Sequence, residues 1–266
     1  MNSKLEKLKK YIKRWDRIAV AFSSGVDSTF LLKAVKDTLG DNVIAITVCS
    51  DFFSKEETEE TVQFCSDNNI EHIMVKCDVL SVSDIRENPV DRCYKCKKEL
   101  FGNIIKVAKE NNAQVVFEGS NLDDLGDYRP GMRAVKELGV KSPLLEVGFK
   151  KDDIRALSKE IGLGTWKKPS MACLASRFAY NQRITVEELT MVHNGEMMLK
   201  RNGFDQCRVR VDNHNASVEV LKEQLYRFEN PEFKNKILNN ILELGFKTVT
   251  INPEGYRTGS MNKNIV

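Results

Sequence analysis

The first two-thirds of the chain alternate short apolar runs with longer segments whose apolar residues recur at helical spacing. The apolar runs predict strands at 17–22, 43–48, 72–77 and 114–119. Helical spacing predicts helices at 28–39, 54–68, 97–110 and 151–161. Short strands separated by helices are typical of a parallel sheet that is covered on both faces. We therefore predict an α/β domain over residues 1–168.

The pattern changes after residue 168, where an irregular stretch begins with Pro169. Helical spacing then returns at 185–201 and 231–243, and alternating stretches at 206–212, 216–221 and 246–251 predict strands. This arrangement favours an antiparallel sheet with helices on one face. We predict a smaller α+β domain over residues 169–266.

Composition and charge narrow the classes of function. The chain has 266 residues, of which 41% are hydrophobic and 30% are charged, as in a soluble globular protein. It has no apolar run of the roughly 18 residues that a membrane span needs, and residues 1–15 lack the apolar centre of a signal peptide. We expect a cytoplasmic location without a membrane partner. The net charge of +3 is too small to indicate a nucleic-acid partner.

A polar loop interrupts the pattern directly after the first predicted strand. It consists of Ser23, Ser24, Gly25, Val26, Asp27 and Ser28. We expect Gly25 to allow a tight turn, the serines to offer hydroxyl donors, and the following helix to present unpaired N–H groups, which together suit a phosphate. Asp27 would repel a bare phosphate, so its presence predicts Mg²⁺ between the carboxylate and the phosphates.

This loop resembles the SGGxDS pyrophosphate loop of the N-type ATP pyrophosphatases. It matches neither the Walker A pattern, since it lacks a lysine, nor the GxGxxG fingerprint. Enzymes of that superfamily cleave ATP between the α and β phosphates and transfer AMP to an oxygen of the substrate. The resemblance implies ATP and Mg²⁺ as cofactors. Ser24 stands where the pattern has its first glycine, and an ordinary serine-capped helix is the alternative.

A second polar segment, at 118–134, follows the fourth predicted strand. It carries the acidic residues Asp123, Asp124 and Asp127 and ends with Arg129 and Arg133. Acidic groups at the end of a strand suit contacts to a metal or a ribose, and arginines suit a phosphate or a carboxylate. A solvated loop is the alternative. Together with the loop at 23–28, this segment predicts ATP contacts at Asp123 and Asp124 and a substrate contact at Arg129.

Three cysteines form the other candidate for chemistry. Cys93 and Cys96 have CxxC spacing, and Cys173 lies in a segment rich in small residues. Three thiolates can hold a [4Fe–4S] cluster that leaves one iron open. Zinc with a water ligand, or three unrelated thiols, are the alternatives. The chain has seven cysteines, an odd number, so structural disulfides are not expected. The remaining four have apolar neighbours and are predicted to be core residues: Cys49, Cys65, Cys77 and Cys207.

Nearly the whole chain resembles the LarE family, the ATP-dependent sulfur transferases of nickel-pincer cofactor synthesis. The resemblance depends on segments 23–28, 118–134, 142–163, 168–178 and 204–211. It implies that a carboxylate of pyridinium-3,5-biscarboxylic acid mononucleotide is adenylated and that sulfur then displaces AMP to give a thiocarboxylate. The implied partners are this mononucleotide and a sulfide source, and the family implies self-assembly into a homo-oligomer.

The resemblance also implies roles for particular residues. Some members sacrifice the sulfur of the cysteine that matches Cys173, whereas others add a CxxC and use a three-cysteine cluster as a renewable carrier. Because Cys93 and Cys96 are present, we predict the cluster route, with the sacrificial route as the alternative. The residues that match family substrate contacts are Ser176, Arg177, Glu196, Arg208 and Arg210. The two arginines at 208 and 210 alternate on one predicted strand, so they face the same side and suit a phosphate dianion, unless that face is solvated.

Three other functions compete with this interpretation. A tRNA thiolation enzyme can combine a pyrophosphate loop with three cluster cysteines, but zinc-finger cysteine pairs and a markedly basic surface are missing from this sequence. An amide-forming ligase would use the ATP loop and leave the three cysteines without a role. A nucleotide-binding sensor with a cysteine-bound zinc is the non-enzymatic alternative.

Overall fold

The structure is a computed structural model that describes residues 2–126, 130–169 and 172–257. It divides the chain into two compact units. The first comprises Met1–Val79 and Cys93–Met171, and the second comprises Leu80–Arg92 and Ala172–Val266. The sequence pattern predicts a single domain boundary, after residue 168. In the structure, the boundary between the units lies three residues later, between Met171 and Ala172. The segment Leu80–Arg92, which we expected in the first domain, belongs to the second unit.

The described elements follow the alternation that the sequence predicts. The α-helices are α1 (Asn2–Ile12), α2 (Val26–Leu39), α3 (Lys55–Asp67), α4 (Ser83–Arg86), α5 (Arg92–Glu110), α6 (Pro130–Glu137), α7 (Pro143–Val147), α8 (Lys151–Glu160), α9 (Val186–Arg201) and α10 (Pro231–Leu242). The strands are β1 (Ile18–Ala21), β2 (Val43–Cys49), β3 (Glu71–Lys76), β4 (Val115–Phe117), β5 (Cys207–Asp212), β6 (Asn215–Val220) and β7 (Thr248–Ile251). Short 3₁₀ helices cover Leu122–Gly126, Gly164–Lys167, Leu174–Arg177 and Lys222–Glu229.

A four-stranded parallel sheet forms the centre of the first unit, with the strand order β3-β2-β1-β4. Successive side chains of a strand point to opposite faces. In β1, Ile18 and Val20 join a core built with α1, α2 and α8, whereas Ala19 joins a second core built with α5 and α6. Both faces are therefore covered, as predicted. The carboxyl ends of β1 and β4 lie side by side and position the loops that follow them.

Two helices begin earlier than the apolar pattern predicts. α2 begins at Val26 rather than at 28, and α5 begins at Arg92 rather than at 97. The first turns of both helices carry few apolar side chains, so hydrophobic periodicity does not mark their starts. Cys93 and Cys96 consequently lie within the first five residues of a helix.

The second unit contains a three-stranded mixed sheet of order β5-β6-β7. β5 and β6 form an antiparallel hairpin, but β7 pairs with β6 in parallel. The prediction of a wholly antiparallel sheet was therefore wrong for the last strand. The reason is that α10 lies between β6 and β7 and returns the chain in the same direction, as a crossover connection does. Within the described ranges, none of the helices is both long and apolar enough to span a membrane.

Candidate functional site

The loop between β1 and α2 has its unusual backbone conformation at Ser24 rather than at Gly25. Ser24 has φ 52°, in the left-handed region that favours glycine, whereas Gly25 has φ −72°, which any residue adopts. The expectation that Gly25 makes the tight turn was wrong, because the turn occurs one residue earlier. Ser24, which stands at the first glycine position of the SGGxDS pattern, therefore adopts a backbone conformation that favours glycine.

The other loop hydroxyls form a small network at the beginning of α2. The Oγ atoms of Ser23 and Ser28 are 3.2 Å apart, and the N–H of Ser23 donates to Ser28 Oγ at 3.4 Å. Gly119, after β4, packs against this turn so closely that an added Cβ would lie 3.0 Å from the backbone nitrogen of Ser28. The glycine thus allows two chain segments to approach at the carboxyl edge of the sheet.

Asp27 lies in the first turn of α2 and is mostly shielded from solvent. Its Oδ2 accepts a hydrogen bond from the ammonium of Lys151, at the start of α8. Its Oδ1 is buried and has no hydrogen-bond partner among the described residues. Burial raises the pKa of this carboxyl above its ordinary value, and the nearby positive charge of Lys151 opposes that rise. A buried carboxylate oxygen without a partner suits a metal ion or a donor from a ligand.

The segment after β4 brings two of its predicted acidic residues to the same edge. Asp124 is buried and its Oδ2 accepts from the N–H of Asn121 at 2.9 Å. Asp123 is exposed and its Oδ2 accepts from the N–H of Lys151 at 2.7 Å. Two further residues of this segment, Asp127 and Arg129, lie outside the described residues, so the predicted role of Arg129 stays a prediction.

Lys168 also reaches the loop, which the sequence analysis did not predict. Its ammonium donates to the carbonyl oxygen of Ser24 at 3.3 Å, to Ser24 Oγ at 3.2 Å and to the carboxylate of Glu60 on α3. Ser24 Oγ in turn donates to Glu60 Oε2 at 2.9 Å. The Ser24 hydroxyl is therefore directed towards Lys168 and Glu60, although we expected it to face a phosphate. Sequence spacing gave no signal, because Lys168 is 144 residues from Ser24.

Cys93 and Cys96 lie three residues apart near the start of α5, so they lie on neighbouring positions of one helix face. Cys93 is partly exposed and Cys96 is buried. Cys173 belongs to the second unit and is partly exposed, immediately before the 3₁₀ helix Leu174–Arg177. Among the described residues, no three His, Cys, Asp or Glu side chains are grouped as metal ligands. The shared cluster stays a prediction.

A buried ion pair supports the segment that carries Cys173. The guanidinium of Arg177 donates to both carboxylate oxygens of Glu196 at 2.8 Å. It also donates to the carbonyl oxygens of Ala172 at 2.6 Å and Cys173 at 3.0 Å. Burial would raise the pKa of Glu196, but hydrogen bonding to Arg177 and the charges of Arg177 and Arg208 hold that pKa below its ordinary value. The pair therefore connects the segment around Cys173 to α9.

Arg208 and Arg210 occupy alternate positions on β5, as predicted, and neither forms a solvated outer face. Arg208 is buried, its guanidinium lies 5.2 Å from the ring centre of Tyr256, and burial together with the charge of Arg177 lowers its pKa. Arg210 donates to the carbonyl oxygen of Ser176 at 2.7 Å and to Glu219 Oε2 at 3.0 Å. Two guanidinium groups thus lie beside the segment of Ser176 and Arg177, within the second unit.

The other four cysteines have different environments. Burial raises the pKa of the Cys65 thiol and of the Cys207 thiol to about 12, and it also raises the pKa of Cys77. These three are core residues, as the sequence analysis predicted. Cys49 is only partly buried, because it ends β2 at the edge of the sheet.

Comparisons with known proteins relate the chain to named relatives. It is 38% identical over 263 residues to an uncharacterised protein of Synechocystis sp., covering 99% of this chain and 98% of the relative. It is 34% identical over 255 residues to the pyridinium-3,5-bisthiocarboxylic acid mononucleotide synthase of Lactiplantibacillus plantarum, covering 96% of this chain and 92% of that enzyme. It is 32% identical over 157 residues to the tRNA(Ile)-lysidine synthase of Borrelia garinii, covering 50% of this chain and 34% of that enzyme. No protein-family model matches the chain.

Proposed function

Because the chain belongs to the family of the pyridinium-3,5-bisthiocarboxylic acid mononucleotide synthase, the LarE family, we propose that it catalyses ATP-dependent insertion of sulfur into pyridinium-3,5-biscarboxylic acid mononucleotide. The similarity to this synthase extends over both units of the chain. The similarity to tRNA(Ile)-lysidine synthase covers half of the chain. The shared half supports a common way of using ATP, and the full-length relative supports the choice of substrate.

The observation that carries the ATP part of this proposal is the unpartnered Oδ1 of Asp27 beside the start of α2. The N–H groups of a helix start favour a phosphate, and an unsatisfied carboxylate oxygen favours Mg²⁺. These residues fit a magnesium-bound nucleotide, with Asp27 as the metal-facing residue and segment 23–28 around the phosphates. Mg²⁺ there would neutralise charge on the phosphates. Asp123 and Asp124, at the neighbouring strand end, are proposed to contact the rest of the nucleotide.

The proposed reaction has two balanced steps. A substrate carboxylate oxygen attacks the α-phosphorus of ATP, the bond to the β-phosphate oxygen breaks, and pyrophosphate leaves. A sulfur nucleophile then adds to the carboxyl carbon, the carbon–oxygen bond to the phosphate breaks, and AMP leaves with the electron pair. The first step is needed because an oxygen of a free carboxylate is a poor leaving group. Backbone N–H donors of the loop would stabilise the negative charge that develops on the phosphates.

The substrate phosphate is proposed to bind in the second unit. Arg208 is buried beside the positive charge of Arg177, so an anion there would relieve repulsion between the two guanidinium groups. Arg210 extends the positive charge along the same strand face. Ser176 offers its hydroxyl next to these groups. Glu196 balances one charge and orients Arg177. Arg129 is proposed as a further contact from the sequence alone.

The sulfur is proposed to come from a [4Fe–4S] cluster on Cys93, Cys96 and Cys173. The chemistry of three thiolates suits such a cluster, which would supply a renewable sulfur. Arg92, the residue before Cys93, is buried in the second unit and donates to the carbonyl oxygen of Ala175 at 2.7 Å, two residues after Cys173. This bond lies within the second unit. Loss of sulfur from Cys173 itself is the alternative that the test in the Discussion separates.

The proposed reaction determines which molecules the protein must bind. The protein requires a sulfide source and the mononucleotide, and we propose a cytoplasmic homo-oligomer that needs neither nucleic acid nor a membrane. tRNA thiolation is the competing function, and tRNA added in place of the mononucleotide tests it.

The test of the adenylation step is release of pyrophosphate that depends on the mononucleotide. Purified protein is incubated with ATP and Mg²⁺, with or without the mononucleotide, and pyrophosphate is measured. We expect release only with the mononucleotide, and its loss in Asp27→Asn. Asp37→Asn is the matched control, because Asp37 is paired with Lys33 on the same helix. Pyrophosphate release with tRNA and none with the mononucleotide would overturn the proposal.

A further inference from the structure

The pyrophosphate loop contains no basic residue, yet the fold places a lysine on it. Residues 23–28 include one acidic and no basic side chain. Lys168 contacts both the carbonyl oxygen and the hydroxyl of Ser24, and its side chain is only 17% exposed. Walker A loops use a lysine of their own to reach the terminal phosphates. In this chain, a lysine that is distant in sequence brings its ammonium to the loop.

The ion pair between Lys168 and Glu60 is weak enough to be exchanged for another anion. The Glu60 side chain is 52% exposed, so water screens its attraction to the ammonium. Lys151 also reaches the loop, but its ammonium is paired with the largely buried carboxylate of Asp27. A pyrophosphate group carries several negative charges and would compete with a single solvated carboxylate for Lys168.

We propose that Lys168 exchanges Glu60 for the pyrophosphate part of ATP and thereby supplies the positive charge that the loop sequence lacks. This inference rests on the proposed use of ATP at the loop. The contacts to Ser24 keep the lysine beside the loop, and the long side chain allows its ammonium to turn from Glu60 to the ligand. Glu60 then acts as a competing anion that holds Lys168 when the loop is empty.

Binding of inorganic pyrophosphate with Mg²⁺, measured by calorimetry, tests the inference without any turnover. We expect Lys168→Met to weaken binding by about tenfold or more, the effect of one charged hydrogen bond. Lys168→Arg should retain most of the affinity, and Glu60→Gln should tighten binding. Lys167→Met is the matched control, because Lys167 is exposed and packs over Trp166 rather than on the loop. Equal affinity of Lys168→Met and the wild type would overturn the inference.

A second comparison separates a direct charge from support of the loop conformation. Ser24→Gly removes the need to hold a serine at positive φ. If Lys168 contacts the ligand, Lys168→Met should weaken pyrophosphate binding by a similar factor in the Ser24→Gly background. If the effect disappears there, Lys168 only supports Ser24 and the inference is wrong.

Binding measurements on the wild type distinguish failure of the proposed function from failure of the role of Lys168. If wild-type protein binds neither pyrophosphate nor ATP, the assignment of the loop itself is wrong. If wild type binds both ligands and the Lys168 variants match it, only the role of Lys168 is wrong. AMP binding serves as a reference, because it lacks the pyrophosphate part and we expect it to change little in Lys168→Met.

Discussion

Arg177 and Glu196 form a buried pair in which two nitrogen atoms of one guanidinium donate to the two oxygens of one carboxylate, each at 2.8 Å. The same guanidinium binds the carbonyl oxygens of Ala172 and Cys173. The pair therefore supports the segment that contains Cys173, the residue at the centre of the proposed sulfur chemistry.

Removing one partner should destabilise the second unit. Arg177→Met leaves the Glu196 carboxylate buried without its hydrogen-bonded counter-charge, although the charge of Arg208 remains nearby. We expect the free energy of local unfolding of this unit to fall by about 3 kcal/mol. Hydrogen exchange of peptides from α9 and β5 measures this locally. Arg201→Met, an exposed change on the same helix, is the control. The double variant Arg177→Met with Glu196→Met should recover part of the loss. Protection in Arg177→Met equal to that of the control would contradict the structure.

The same pair predicts a dependence of stability on pH. The pKa of Glu196 is lower in the folded protein than in the unfolded chain, so the carboxylate stabilises the fold above the unfolded value of about 4.3. This stabilisation is lost as the pH falls through the folded pKa. We expect wild type and Glu196→Gln to differ in stability at neutral pH and to converge in acid. Glu187→Gln, exposed on the same helix, should follow the wild type at every pH. Parallel stability curves of wild type and Glu196→Gln would contradict this account.

Gly119 should be intolerant of a side chain. Its added Cβ would lie 3.0 Å from the nitrogen of Ser28 and 3.2 Å from the Cβ of Asp27. We expect Gly119→Ala to lower the free energy of unfolding by about 1–3 kcal/mol through overpacking and to weaken ATP binding. Gly102→Ala is the matched control, because it meets nothing within 4 Å on α5 and should stabilise by about 0.5–1 kcal/mol. Normal ATP affinity in Gly119→Ala would show that the two segments do not need this close approach.

Metal analysis tests the proposed cluster. After anaerobic purification we expect about four iron and about four acid-labile sulfide per chain. Serine at any of Cys93, Cys96 or Cys173 should remove most of both, because a thiolate ligand is lost. Cys49→Ser, the partly exposed cysteine outside this group, should leave the iron content unchanged. Zinc without iron would refute the cluster.

The strands and helices that bury apolar residues at regular spacing were predictable from the sequence. Buried runs such as 43–48 specify strands by their length and β-branched residues, and the alternation of strands with helices predicted their parallel pairing. The starts of α2 and α5 were missed because their first turns carry few apolar residues, so the helical spacing of apolar positions does not reach them. The parallel pairing of β7 was missed because local alternation carries no information about strand direction.

The grouping of Ser23, Asp27 and Ser28 at one strand end was predictable, because the motif is local in sequence. The positive φ of Ser24 and the approach of Lys168 were not, since they arise from contacts between segments far apart in the chain. The pairing of Arg177 with Glu196 was likewise hidden, although both residues were singled out separately.

Sulfur insertion itself is the most direct test of the central claim. The protein is incubated anaerobically with ATP, Mg²⁺, sulfide and the mononucleotide, and the masses of the product and of the peptide containing Cys173 are followed by mass spectrometry. We predict thiocarboxylate product over many turnovers with Cys173 intact. A single turnover that leaves dehydroalanine at Cys173 would contradict the renewable route, and no sulfur in the mononucleotide would contradict the function.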